Sequence, residues 1–464
     1  MPDATNDIAP SGASPPAAAP RPCLSTFDAV TVIVGIVIGA GIFEMPAWVA
    51  GNVTSTGMLM GVWVAGGIIS LIGALCYAEL ASAYPDAGGD YHFLGRAYGP
   101  NVAFLFAWAR MTVIQTGSIA ALAFIIGDYA TAAIPFGAYS AAIYAALVVV
   151  LITGINVMGV RTGAMAQNLS TAAVVLGLLM VVVAGFTSPA AARMTPASVV
   201  DNAQPVHSSI ALAMVFVLFT YGGWNEAAYL SAEIRTRRGI VAALLIGIAV
   251  ITVIYLLTNA AMLHALGLSG MANSKAVAAE IMRNRFGDAG AYLASAAVIF
   301  AALSTANATA ITGARSNYAL GRDFPLLRAL GRWQARRSTP VTALLLQGAI
   351  ALALVLFGSM TRSGLKAMVD YITPVFWGFF LLAGASVIVL RYREPEVLRP
   401  FRVPLYPVTP LLFCAVCAYM LQSQVVYNGQ GSLVGLAVLL AGVPLLLLAR
   451  TNRLVHQPSR QIET

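Results

Sequence analysis

Two glycine-rich runs in this chain have the residue types to expose backbone at a binding site. In TVIVGIVIGAGIFEMPAWV, residues 31–49, Gly35, Gly39 and Gly41 crowd an apolar stretch and Pro46 follows within a turn of Phe43. In FTYGGWNEA, residues 219–227, Gly222 and Gly223 interrupt the apolar run 209–232. Glycine costs about 1 kcal/mol against alanine inside a helix, so both helices are expected to break at their glycines. Where the first helix restarts, the free N–H groups of Ala40, Gly41 and Ile42 carry the positive end of a helix dipole and suit a carboxylate. Where the preceding half ends, and where the first half of the later helix ends, the carbonyls of Val37, Phe219, Thr220 and Gly222 suit an ammonium. Gly39 and Gly41 let a ligand reach the backbone with no side chain in the way. A zwitterion needs both ends at once, and the two breaks together supply them. The plainer alternative is that the glycines only let a neighbouring helix approach closely. Two interrupted helices in corresponding halves of one chain favour the binding site.

The elements that position these breaks are membrane helices. The chain has 464 residues, 59% of them hydrophobic and only 9% charged, with a mean hydropathy of +0.82. About twelve apolar stretches have the spanning length of roughly 20 residues. They fall near 29–50, 57–83, 101–127, 137–157, 164–187, 209–232, 239–266, 288–314, 339–358, 365–391, 405–426 and 431–449. The fold class is therefore an all-α polytopic membrane protein. Residues 1–26, rich in Ala, Pro and Ser with no basic n-region before an apolar core, read as a disordered tail rather than a signal peptide. Residues 27–450 form one transmembrane domain, and 451–464 a second tail. Four cysteines make no disulfide framework, and Cys414 and Cys417 have no His, Asp or Glu beside them to suggest a metal or redox site.

Spacing points to an internal repeat. Ala40 and Gly222 lie 182 positions apart, and the third and eighth spans, opening near Asn101 and Asp288, are offset by 187. Five helices per repeat, about 29–187 and 209–391, is an odd number, so the second copy enters the membrane from the opposite face. Helices 11 and 12, about 405–449, fall outside it. In the loop before the eighth span, residues 274–286 read as a surface helix or an external lid.

Charge sets the orientation and excludes one partner class. Of the 26 basic residues, nineteen fall on the side that carries both termini, six on the other, and Arg110 lies within a span. That bias places both termini in the cytoplasm and the protein in the inner, cytoplasmic membrane. The basic excess belongs to loops facing lipid headgroups and does not imply nucleic acid. Inside the spans there is no His pair, no metal-ligand cluster and no nucleophile beside a base, which argues against an enzyme. No phosphate-binding GxxxxGK[ST] sequence argues for an ATP-driven pump, and nothing implies a cofactor or a partner protein.

Charged residues within spans are functional candidates. Glu44 follows the first break, Glu226 the second, and either carboxylate is a candidate for taking up a proton and coupling it to transport. The competing reading is a structural ion pair or a vestibule charge, which suits Glu79, Asp128 and Glu233 near span ends.

Four motifs carry a family resemblance: GIVIGAGIFEMP (35–46), YAELASAYPDAGGDY (77–91), FTYGGWNEA (219–227) and LRYREPEVLRPFRVPLYP (390–407). In consistent order over about residues 27–450, they resemble the amino acid–polyamine–organocation superfamily, and within it the L-type amino acid transporter branch and its bacterial permease relatives. The resemblance implies a five-plus-five inverted-repeat fold of the LeuT type, with a substrate held between helices 1 and 6. It places Val37, Ala40 and Gly41 at substrate-backbone positions, Phe219 as the aromatic that closes over the substrate, and Thr220, Gly222 and Asn225 in the matching helix 6 motif. Ala40 departs from the serine common there, which removes a hydroxyl but leaves the backbone donors. Asn307 matches an asparagine of helix 8 and equally suits a helix-packing hydrogen bond.

Sodium-independent relatives often carry a lysine midway along helix 5, where this chain aligns Val174. That leaves the region neutral or open to an ion or proton, with Ser304 and Thr305 of helix 8 the hydroxyls on offer for sodium. The expected function is secondary active transport of amino acids, as permease, exchanger or symporter, with a neutral substrate favoured by the apolar surroundings. The alternatives are a cationic amino acid or polyamine transporter of the same fold, or an amino-acid sensor that does not transport.

Overall fold

The computed structural model describes residues 25–86, 88–189, 209–231, 234–274, 276–334, 339–427 and 429–455. The expected tail over 1–26 and Glu233 fall largely or wholly outside these. The first span is two helices, α1 (Thr26–Val37) and α2 (Gly41–Ala50), whose axes bend by 52°. A capping box between Ser25 and Asp28 starts α1. There follow α3 (Thr56–Ala83), a short α4 (Asp90–Tyr98), and a third span built from α5 (Pro100–Ala109), a π-helical turn (Arg110–Ile114) and α6 (Gln115–Ala133). Then come α7 (Ser140–Met158) and α8 (Val160–Thr187).

The sixth span is again in two parts: α9 (Ile210–Tyr221) and a 3-10 stretch (Trp224–Leu230). Gly223, at φ 104°, turns the chain between them in a conformation that favours glycine. Four more spans follow, α10 (Arg237–Asn273), α11 (Val277–Asp323), α12 (Val341–Ser359) and α13 (Gly364–Arg393), and then α14 (Val408–Tyr427), α15 (Gly429–Leu440) and α16 (Gly442–Val455). Among the described residues eleven helices are long and apolar enough to cross a membrane, or twelve if α1 and α2 form one span. Each broken span heads a run of five membrane-length spans.

Large apolar side chains such as Leu147 and Leu151 on α7, and Leu176 and Leu179 on α8, are exposed, as a surface facing lipid requires. Inside, α1 packs against the 3-10 stretch and α10, while α2 packs against α9. The two breaks therefore face each other across the middle of the bundle. α11 lies along α8 and α6, and α13 closes the far side against α6 and α4.

Three boundaries differ from expectation. α10 and α11 each run past the expected span and bend at a glycine in the left-handed region, Gly267 and Gly287, so the surface helix expected over 274–286 is the first part of α11. α16 continues to Val455, past the expected boundary at 450. α4 begins where YPDAGGD ends, at Asp90. Gly89, at φ 49°, starts it, and a Cβ there would lie 2.9 Å from the ring of Tyr229.

Candidate functional site

The two breaks enclose a cavity of about 210 Å³ lined by Val37, Gly39, Ala40, Gly41, Phe219, Thr220, Gly222 and Asn225. The first backbone bonds of α2 run from the N–H groups of Phe43 and Glu44 to the carbonyl of Ala40. Ala40, Gly41 and Ile42 therefore stand ahead of the ladder, where a helix leaves its N–H groups without intrahelical acceptors. These are the N–H groups that the sequence marks at the first break. The Ile42 side chain is fully buried in the core and does not line the cavity, so its contribution there is limited to backbone.

The carbonyl end differs from expectation. Tyr255 of α10, fully buried, directs its hydroxyl at the Val37 carbonyl (2.8 Å) and the Thr220 carbonyl (3.0 Å). The N–H of Gly39 also donates to Val37, and the N–H of Gly222 donates to Phe219. A carbonyl has two lone pairs, so Val37 is saturated, while Phe219 and Thr220 each keep acceptor capacity for an ammonium. The correction is physical: chain ends freed by a broken helix inside protein recruit the nearest donor, and Tyr255 is that donor.

The remaining wall comes from the third, eighth and tenth spans. Leu122 and Ile125 of α6, and Phe376, Trp377 and Phe380 of α13, form an apolar and aromatic surface beside the breaks. Thr305 lines the cavity with its hydroxyl buried and, among the described residues, without a hydrogen-bond partner. A Cβ on Gly39 would lie 2.5 Å from that oxygen. Ser304 instead points away from the cavity and shares a hydrogen bond of 3.2 Å with Thr171 of α8. Asn307 accepts from Asn156 at 2.7 Å across buried helices, the packing alternative considered for it. Val174 is buried on α8. Among the described residues no three or more His, Cys, Asp or Glu groups converge as metal ligands.

Of the two carboxylates singled out, Glu226 lines this cavity and Glu44 does not. Glu226 is held by Arg110 in a two-point ion pair, Nη1 to Oε1 at 3.0 Å and Nη2 to Oε2 at 2.8 Å. Arg110 also donates to Ser316 (3.0 Å) and stacks over Tyr229 at 4.4 Å. The amide oxygen of Gln115, turned inward, accepts from the same guanidinium. A bidentate, stacked geometry is what arginine provides and lysine does not.

Glu44 faces a second cavity of about 920 Å³, with Trp48, Asp128, Tyr129, Lys366 and Asp370 on its walls. The two cavities share Ile125, Val215 and Leu365, so they lie next to each other. Trp48 and Phe216, in edge-to-face contact at 5.0 Å, link α2 and α9 beside the larger one. Glu79 is a structural charge, buried and paired with Arg391 and Arg399. The sequence analysis singled out neither Tyr255 nor Asp90, which also lines the smaller cavity.

Fold and site thus define a multi-pass integral membrane protein whose two broken helices enclose a small, largely apolar cavity. The chain belongs to the amino acid permease family, whose model matches residues 24–443. It is similar to the human b(0,+)-type amino acid transporter 1, 32% identical over 413 residues, covering 87% of this chain and 82% of the relative. The mouse b(0,+)-type amino acid transporter 1 is 31% identical over 407 residues (86% and 81%). The rabbit large neutral amino acids transporter small subunit 2 is 30% identical over 432 residues (91% and 79%).

Proposed function

We propose that this protein is a secondary transporter that moves neutral amino acids across the cytoplasmic membrane by alternating access, with both termini in the cytoplasm. The observation that carries the reading is the paired break. The N-terminus of α2 offers N–H groups to a carboxylate, Phe219 and Thr220 keep acceptor capacity for an ammonium, and both border one cavity. In this reading Val37, Gly39, Ala40, Gly41, Ile42, Phe219, Thr220, Gly222 and Asn225 surround the substrate backbone, with Val37 and Ile42 acting through position rather than free polar groups. Phe219 covers it.

The side chain then faces Leu122, Ile125, Phe376 and Trp377, which suits an apolar or aromatic group. Arg110 and Glu226 cancel each other's charge beside it. Family and named relatives support amino-acid transport, and the orientation rests on the distribution of basic residues between the two sides. The neutral substrate is tested by competition: unlabelled neutral and cationic amino acids are compared as inhibitors of labelled uptake into proteoliposomes. Stronger inhibition by lysine, arginine or a diamine than by any neutral amino acid would replace the neutral reading with the cationic one.

A further inference from the structure

Beside the breaks, the Asp90 carboxyl converges with the hydroxyls of Tyr77 and Tyr229, and among the described residues neither Oδ1 nor either hydroxyl makes a well-formed hydrogen bond, although Tyr77 and Asn225 stand close enough to favour the ionised carboxylate. Asp90 is 4% exposed, Tyr77 is fully buried, and both line the substrate cavity. A buried carboxylate normally finds a cation or several donors. Asp90 is faced by Tyr77 of α3, by Asn225, Glu226 and Tyr229 of the 3-10 stretch, and by Arg110 of the π-helical turn. From α13, which packs along α4, come Arg391 and Arg393, held by Glu79 and by the carbonyl of Ala97. On α4 itself, His92 lies near Asp86 and Arg96 is paired with Glu394.

Every nearby cation is therefore engaged elsewhere. Arg110 is the closest, and its donors go to Glu226, Ser316 and Gln115. With Arg110 and Glu226 cancelling, an ionised Asp90 would leave one uncompensated negative charge in a buried site. A proton on Asp90 removes that charge and gives the carboxyl a donor of its own. We propose that Asp90 is a proton-binding site, and that the amino acid crosses the membrane together with the proton held there.

This rests on the transporter reading and supplies its coupling ion, at a carboxylate other than the two marked by the sequence. The proton adds to the Asp90 carboxylate from water on one side and leaves to water on the other, and no other group changes charge. Burial pushes the Asp90 carboxyl up to about 7, with Tyr77 and Arg110 opposing and Glu226 reinforcing the shift, which brings proton exchange into the physiological range. The site is also tied to the sixth span. The backbone N–H of Asp86 donates to the Ser231 hydroxyl, which donates back to the Asp86 carbonyl, so the loop before α4 is fastened to the end of the 3-10 stretch.

The test uses the full chain in liposomes with a trapped pH dye, and as probe the proteinogenic amino acid that gives the strongest counterflow. In the native protein, adding the probe acidifies the lumen, and net uptake falls about tenfold from pH 6 to pH 8, as expected for a group titrating near 7. Asp90→Asn abolishes the acidification and flattens the pH profile of whatever exchange it retains. An infrared difference spectrum between pH 6 and pH 8 reads the site without transport: the native protein shows a protonated-carboxyl band that Asp90→Asn lacks and Tyr77→Phe shifts. Acidification that persists in Asp90→Asn, counterflow without acidification in the native protein, or an infrared band unchanged by Asp90→Asn would each overturn the proposal. Stimulation by a sodium gradient at constant pH that Asp90→Asn removes would make this a sodium site and overturn it equally. Absence of counterflow in the native protein would instead count against the transporter reading, and the infrared band would still report on Asp90.

Discussion

Tyr255 donates its hydroxyl hydrogen to the carbonyl oxygen of Val37 across 2.8 Å, which fastens the seventh span to the broken middle of the first. The same hydroxyl lies 3.0 Å from the carbonyl of Thr220 in the other break. One proton serves two acceptors, so the bond is shared or alternates between them. Tyr255 is itself wedged against Trp63 and Tyr221, with ring centroids at 5.7 and 5.0 Å. Tyr255→Phe preserves that packing and removes the shared donor. Leaving a buried acceptor unpaired costs about 1–3 kcal/mol. The expected outcome is a lower melting temperature in detergent and weaker stabilisation by added amino acid, both read from thermal melts. A melt and a substrate response equal to those of the native protein would show that the two breaks hold their geometry without Tyr255.

The Arg110–Glu226 pair gives a prediction with a built-in control. Removing one partner of a buried ion pair costs about 3–5 kcal/mol because the other charge is left uncompensated, whereas replacing both by apolar residues is often near neutral. Arg110→Met is expected to lower the yield of folded protein and its melting temperature sharply. Adding Glu226→Leu should recover most of the loss. If the double variant is as unstable as the single, the stacking on Tyr229 and the bond to Ser316, rather than the ion pair, stabilise this region.

Gly41 separates a steric prediction from a folding one. A Cβ at this position would meet Thr220 at 3.4 Å, an ordinary van der Waals contact. Gly41→Ala is therefore expected to fold and to keep weakened binding. Gly41→Leu, whose branched side chain enters the space required by a carboxylate, is expected to abolish binding. Equilibrium binding of labelled amino acid to purified protein checks both, and native affinity in Gly41→Leu would show that the carboxylate lies elsewhere.

The two breaks were legible in the sequence because glycine clusters interrupt apolar spans in corresponding halves of the chain, which close helix packing alone does not require. Gly39, Gly41, Gly222 and Gly223 marked both breaks, and the cavity lies between them. Partners from distant spans left no comparable sign. A tyrosine in an apolar run, such as Tyr255, reads as one more core residue, and which backbone carbonyl it will cap depends on how α10 packs. Glu226 stood out as a charge in a span, but its pairing with Arg110, 116 residues away, is a fact of tertiary structure. Asp90 was hidden for another reason. YPDAGGD carries turn chemistry, and nothing local shows that the helix starting at Asp90 folds back under the sixth span.

Sodium independence is the outcome expected from the oxygens around α8 and α11. A sodium cage needs several converging oxygen ligands. Ser304 is bonded to Thr171 and turned from the cavity, and Val174 offers no oxygen beyond its backbone. Replacing sodium by choline on both sides of proteoliposomes is expected to leave uptake unchanged at fixed pH. A loss of uptake on replacement, reversed by restoring sodium and weakened by Thr305→Val, would establish a sodium site at the Thr305 hydroxyl.

The central claim is that amino acid bound between the two breaks crosses the membrane. Counterflow tests it most directly: proteoliposomes are loaded with an excess of an unlabelled neutral amino acid, and a trace of the same labelled amino acid is added outside with no ion gradient. The account predicts a transient accumulation of label above its external concentration, absent from protein-free liposomes and from the Gly41→Leu variant. Binding of the same amino acid to the purified protein without any such accumulation would contradict it, and would make the protein a sensor rather than a transporter.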